Sequence, residues 1–140
     1  MIAEGGVSEM ILKIRNTDKA KEFTERFEEM LESIDVSKLD ELDRECFPDD
    51  VDNMKRKSVA YAKMRADWEF MSSEERQNKD EIRSGFHNEF MTSVKLLIRL
   101  ANKYSDNKWA DLLEEAESLH RKDFGDIACY ITYLIAADNK

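Results

Sequence analysis

Proline, glycine, cysteine and histidine are all scarce in this chain, and each scarcity removes a class of structure or chemistry. One proline and four glycines among 140 residues leave too few breakers for the many tight turns of a β-sandwich or barrel. The residues that abound instead, Glu, Lys, Leu, Met and Ala, are helix formers. Cys46 and Cys129 are too few for a disulfide framework and form no Cys-x-x-Cys pair, so reduced thiols are expected, with one bridge between them as the other option. Two histidines and two distant cysteines fall short of a four-ligand zinc site. Glu117-Ser118-Leu119-His120 has the Glu-x-x-His spacing of di-iron bundles, but the second pair such a site needs is missing. Walker, Gly-x-Gly-x-x-Gly and Gly-x-Ser-x-Gly patterns are absent too. No cofactor, no metal and no catalytic constellation are expected.

Long apolar runs are also missing. Nothing approaches the ~20 residues that span a bilayer, and Met1 to Gly6 have neither a basic flank nor an apolar stretch. A cytoplasmic protein without membrane contact is expected. With 41% hydrophobic residues at helical spacing, the 38% charged fraction signals a well-solvated folded surface, not disorder. The length fits one domain over residues 1–140, the first seven expected to be flexible.

The spacing predicts an all-α bundle of five to six helices. A short helical lead falls near Ser8 to Ile14. After a cap at Asn16-Thr17-Asp18, the residues Ala20, Phe23, Phe27, Met30, Leu31 and Ile34 recur in steps of three and four. Ser37 caps a shorter segment with Leu39, Leu42, Cys46 and Phe47, which Pro48 is expected to end. A third helix is expected to start at Asp49-Asp50 and to align Val51, Met54, Ser58, Tyr61, Arg65 and Trp68. Ser72 with Glu75 forms a capping-box pattern opening a segment to Lys103, with Ile82, Phe86, Phe90, Val94, Leu97, Ile98 and Ala101 on one face. Gly85 inside it suggests a bend or a close helix contact. Trp109, Leu112, Leu113, Ala116 and Leu119 mark another helix. Asp123 is the expected cap of the last, whose run from Phe124 to Ile135 has almost no polar face and should be central or complete a dimer.

Charge is distributed unevenly. Between Glu22 and Asp52 stand thirteen acidic residues and three basic ones, more than the whole net charge of −9. Such a field repels a phosphate backbone, so direct nucleic-acid binding is not expected. The stretch is either a solvated surface that Lys55, Arg56 and Lys57 partly neutralise, or a docking face for a basic protein. In the second reading Glu25, Glu28, Glu29, Glu32, Asp40, Glu41 and Asp43 make the contact. Methionines such as Met30, Met54 and Met91 serve as core filler, the alternative being an adaptable groove.

His87 lies at the polar edge of its apolar stripe, where it should hydrogen-bond a carboxylate or a carbonyl. Asp126, one turn inside the most apolar helix, is the expected partner of His87 or Arg83, or else merely complements the helix dipole. Arg83, His87, Asn88 and Asp126 form the candidate polar cluster. Glu75-Arg76, Arg83, His87-Asn88-Glu89, Leu96-Leu97-Ile98-Arg99-Leu100 and Arg121 with Gly125-Asp126-Ile127-Ala128 resemble a small bacterial family, domain-of-unknown-function family 3232, over about residues 74–135. Ile127 stands where that pattern has an aromatic residue. The resemblance implies a compact helical fold and contributes nothing on activity. With no catalytic constellation and an acidic stretch from Glu22 to Asp52, the expectation is a non-enzymatic regulator or inhibitor, of the kind mobile elements encode, that presents an acidic face to a basic protein. The alternatives are a self-associating protein that dimerises through the last helix, and a small enzyme or ligand-binding protein using His87, Arg83 and Asp126.

Overall fold

Five α-helices and one 3-10 turn, with no strand among the described residues, make up the computed structural model, which describes residues 18–138. They are α1 (Asp18–Ser33), the turn Val36–Lys38, α2 (Glu41–Trp68), α3 (Ser73–Lys103), α4 (Ala110–Ser118) and α5 (Arg121–Asp138). The expected lead at Ser8 to Ile14, the expected flexibility of residues 1–7 and the Asn16-Thr17 part of the first cap lie outside the described residues.

Each helix follows its apolar period, and capping residues start α2 and α3. In α1 the buried face is Ala20, Phe23, Phe27 and Met30, and the Phe23 and Phe27 rings stack with centroids 6.3 Å apart. Asp40 starts α2, its carboxylate accepting the Asp43 amide at 2.8 Å. Ser37, the expected cap, instead lies in the 3-10 turn that Asp35 caps. Ser72 and Glu75 form the reciprocal capping box of α3. Between α3 and α4, Asp106 and Asn107 adopt φ of 56° and 63°, a conformation aspartate and asparagine tolerate better than most residues. Asn102 accepts the Trp109 amide at 2.7 Å and closes that turn.

The break expected at Pro48 does not occur: α2 runs through it, so no new helix starts at Asp49-Asp50. Proline removes one helical hydrogen bond and crowds the preceding turn. Here, however, Pro48 faces solvent, where water can satisfy the freed carbonyl, while Phe47, Val51 and Met54 pack on the core from both sides of it. Burial on the inner face outweighs a local defect on the outer one. Leu42 at 68% and Ile82 at 52% exposure, with exposed Cys46, are off the buried stripes to which their spacing assigned them. Gly85 makes no close contact, as a methyl group there would meet nothing within 4 Å. Asp123 is not the cap residue of α5 but lies in its first turn, accepting the His120 amide at 3.0 Å. Cys129 is buried, Cys46 is exposed, and no disulfide joins them.

The most apolar helix is central. α5 packs against α1, α2 and α3, while α2 also packs along α3. Phe124, Ile127, Ala128 and Ile131 of α5 join Phe23, Phe27, Phe90, Val94, Leu97 and Leu112 in one core. Small residues line the α2–α5 seam: Ser58 and Ala62 of α2 face Ala128 and Cys129 of α5. There Ser58 Oγ donates to the Ala128 carbonyl at 2.9 Å.

Candidate functional site

The α2–α5 seam turns polar toward the start of α5. Tyr61, Arg65 and Trp68 follow Ser58 on α2 at steps of three and four. Arg65 reaches across to donate to the Lys122 carbonyl at 3.1 Å and to the Asp126 carboxylate at 3.0 Å. This ion pair is largely removed from water, with side-chain exposures of 15% and 4%. Gly125 makes it possible: a methyl group there would overlap Arg65 along its guanidinium and Cδ. The close approach that Gly85 suggested belongs to Gly125. Asp126, expected to serve His87 or Arg83, is thus engaged by Arg65.

Beside the pair lies a recess of about 260 Å³ lined by Tyr61, Arg65, Arg83, Arg121 and Lys122. Tyr61 forms one wall, its hydroxyl donating to the Arg121 carbonyl at 3.4 Å, and burial raises that hydroxyl's pKa. Arg83 lies with its guanidinium 4.3 Å from the centre of the Trp68 ring, a cation–π arrangement. Its nearest carboxylate, Asp80, is 3.9 Å away and itself mostly exposed. The Arg83 Nε is buried without a hydrogen-bond partner.

His87 stands behind this wall. Its ring meets Tyr61 and Phe124 edge-on, at 5.8 and 5.6 Å between centroids. Its Nδ1 lies 3.2 Å from the side-chain amide carbonyl of Asn88, the second of the two partner types expected, and Nε2 is buried without a partner. Burial pushes the imidazole pKa below its ordinary value; Asn88 opposes this, while Arg121, Arg83 and Lys95 reinforce it. Asn88 thus orients a neutral ring.

A pH dependence follows. The unfolded imidazole titrates near ~6.5 and the folded one lower, so the unfolded state binds more protons between the two values. His87 therefore contributes its full stability above the unfolded pKa and loses it as pH falls through that window. Glu28 and Asp50, whose pKa values are raised first by burial, act oppositely in the carboxylate range. His87→Phe, which keeps a ring between Tyr61 and Phe124, should flatten the fall in unfolding free energy below about pH 6.5. Urea titrations at stepped pH check this; an unchanged slope would place the effect elsewhere.

At the other end of α5, a groove of about 420 Å³ opens between α1, α2 and α5. Phe27, Leu31, Phe47, Val51, Met54, Ile131, Leu134 and Ile135 give it an apolar floor, and Glu28, Glu32, Asp138 and Lys55 stand around them. Glu28 has its pKa raised by burial, then by Asp138 and Glu32, with only Lys55 pulling the other way among the larger influences. Carboxylate is therefore in excess at the rim.

The acidic residues singled out above divide into two groups. Glu25, Glu28, Glu29 and Glu32 are exposed on α1, spaced to share one face. Asp43 accepts from Lys103 at 2.8 Å and from the Tyr104 hydroxyl at 2.6 Å, while Asp40 caps α2 and lies 3.5 Å from Lys103. Asp40 and Asp43 thus tie the start of α2 to the end of α3, and the hydrogen bond with Asp43 raises the Lys103 pKa. Glu41 is exposed between them. Arg56 pairs with Asp52 and Lys57 with Glu89, each at 3.2 Å, so of the three consecutive cations only Lys55 reaches the groove.

Sequence reasoning did not single out Tyr61, Arg65, Arg121 and Lys122 as site residues. The available signal was Arg65, a charge placed in line with Tyr61 and Trp68 where the stripe calls for an apolar residue. Among the described residues no group of three or more His, Cys, Asp or Glu could hold a metal ion, and no helix is long and apolar enough to cross a membrane. Comparison with known proteins returned no matching family model, no similar curated protein and no similar solved structure.

Proposed function

We propose that the protein acts without catalysis, as a small cytosolic regulator or inhibitor that binds an amphipathic, basic helix of a partner protein in the α1–α2–α5 groove. The observation that carries this reading is one of composition in space: an apolar floor set directly beside three carboxylates, Glu28, Glu32 and Asp138, with Lys55 as the one cation lining the groove. Helix-in-groove recognition needs both parts, because apolar anchors supply affinity while flanking charge sets orientation and encounter rate. Lysines or arginines flanking a Leu/Phe stripe would complement Glu28, Glu32 and Asp138, with Glu25 and Glu29 extending the field along α1. Arriving cations would also relieve the carboxylate repulsion that, after burial, raises the Glu28 pKa.

A synthetic lysine-flanked, leucine-striped helical peptide, followed by fluorescence anisotropy, tests this. Binding should weaken with added salt and by at least about tenfold in Glu28→Lys/Glu32→Lys, a loss of ~1.4 kcal/mol. Equal binding by the double variant, or by a peptide of the same composition with its leucines scattered, would defeat the proposal. The same variant used as bait beside the unaltered chain in affinity capture separates a groove-dependent partner from background.

A further inference from the structure

The recess at the start of α5 gathers four cations, Arg65, Arg83, Arg121 and Lys122, in a protein whose net charge is −9. Arg65 is neutralised by Asp126. Arg83 has only the distant, exposed Asp80, and among the described residues no carboxylate lies within ion-pairing distance of Arg121 or Lys122. Like charges from three helices repel unless something sits between them. The field is strengthened because the site lies at the N-terminus of α5, where aligned peptide dipoles add positive potential. Asp123, the acid in that first turn, is occupied by the His120 amide and Lys19.

We propose that this recess binds the dianion of a phosphate or of a small phosphate monoester. Arginine suits the role because its planar fork donates two parallel hydrogen bonds to phosphate oxygens. Arg83 lines the recess with a partly exposed side chain whose guanidinium has only the exposed Asp80 near it, and the Trp68 ring 4.3 Å from its Cζ restricts its movement. Arg121 and Lys122 are exposed and able to close over an anion from the α5 side. A recess of about 260 Å³ exceeds what a bare phosphate fills, leaving room for a small organic group against the Tyr61 ring. Polynucleotides are disfavoured, because their neighbouring phosphates would meet the acidic surface contributed by residues 22–52.

The site is independent of the groove. Arg121 and Ile131 lie ten residues apart on α5, about 15 Å along its axis.

Isothermal titration calorimetry on the full chain with inorganic phosphate, phenyl phosphate and chloride at matched ionic strength tests the inference. One site per chain is expected, with a dissociation constant of about 1 mM or tighter for phosphate or the monoester. Arg83→Gln and Arg121→Gln should each weaken it by about tenfold or more, whereas Glu28→Lys/Glu32→Lys should not. Tighter binding of phenyl phosphate than of inorganic phosphate would identify an organic phosphate as the ligand; equal binding would identify free phosphate. Arg121 is exposed and its substitution keeps the fold, which a circular dichroism melt verifies. Phosphate that binds no better than chloride, binding that both arginine variants leave unchanged, or a single-stranded oligonucleotide that displaces the monoester would overturn the proposal.

Discussion

Arg65→Met is expected to cost about 3 kcal/mol of stability, the lower part of the range for removing one partner of a buried ion pair. Asp126 has only 4% of its side chain exposed, so loss of the guanidinium leaves a carboxylate in an environment that penalises charge. Methionine retains much of the aliphatic stem that packs over Gly125, which confines the change to charge and hydrogen bonding. In urea the midpoint should fall with an unchanged denaturant slope, and thermal unfolding should drop by about 10 °C for a chain of this size. The partner substitution provides the control. Asp126→Leu in the Arg65→Met background should recover part of the loss, because an apolar pair of similar volume often matches a buried ion pair. Gly125→Ala should weaken the fold in the same direction by lifting Arg65 off α5. A double variant no more stable than Arg65→Met alone would mean that the pair is not the source of the loss.

The pair also illustrates what a linear pattern conveys and what it conceals. Periodicity alone located α1, α3, α4 and α5 and most of the core, because burying one face per helix is a constraint every turn must satisfy. It failed at Pro48, where the strongest local helix breaker sits on a solvent face and the inner face on both sides is apolar. A rule that weighs one residue cannot see that compensation. Among the polar residues, His87 and Asp126 were conspicuous as interruptions of apolar stripes, and both are buried. The partner of Asp126 was not legible, since it is fixed by how α2 crosses α5, whereas His87 bonds Asn88 beside it in the chain. Arg65 is 61 positions from Asp126, and Gly125, which permits their contact, resembles any other helical glycine. The acidic stretch was visible as charge, but its apolar complement was not: Phe27, Phe47 and Ile131 come from three helices.

Phe124 carries the second large effect. It is fully buried and meets Phe90 and His87 edge-on at 6.3 and 5.6 Å, geometry that favours aromatic pairs beyond their area. Phe124→Ala should destabilise by about 3–5 kcal/mol, a large share of the ~5–15 kcal/mol that holds a typical domain together. Phe124→Leu, which fills much of the same volume, should cost less than about 1.5 kcal/mol. The two differ in a second observable. Truncation to alanine removes the ring that shields one edge of His87 and lets water approach, so the imidazole pKa should climb back toward its ordinary value, because burial is the main cause that lowers it. Leucine keeps water out, and the pKa should stay low. Proton NMR titration of the His87 ring in both variants reads this directly. If alanine leaves the titration unmoved while stability falls, repulsion from Arg83 and Arg121 outweighs burial at this ring, and the basic recess next to it governs the protonation of His87.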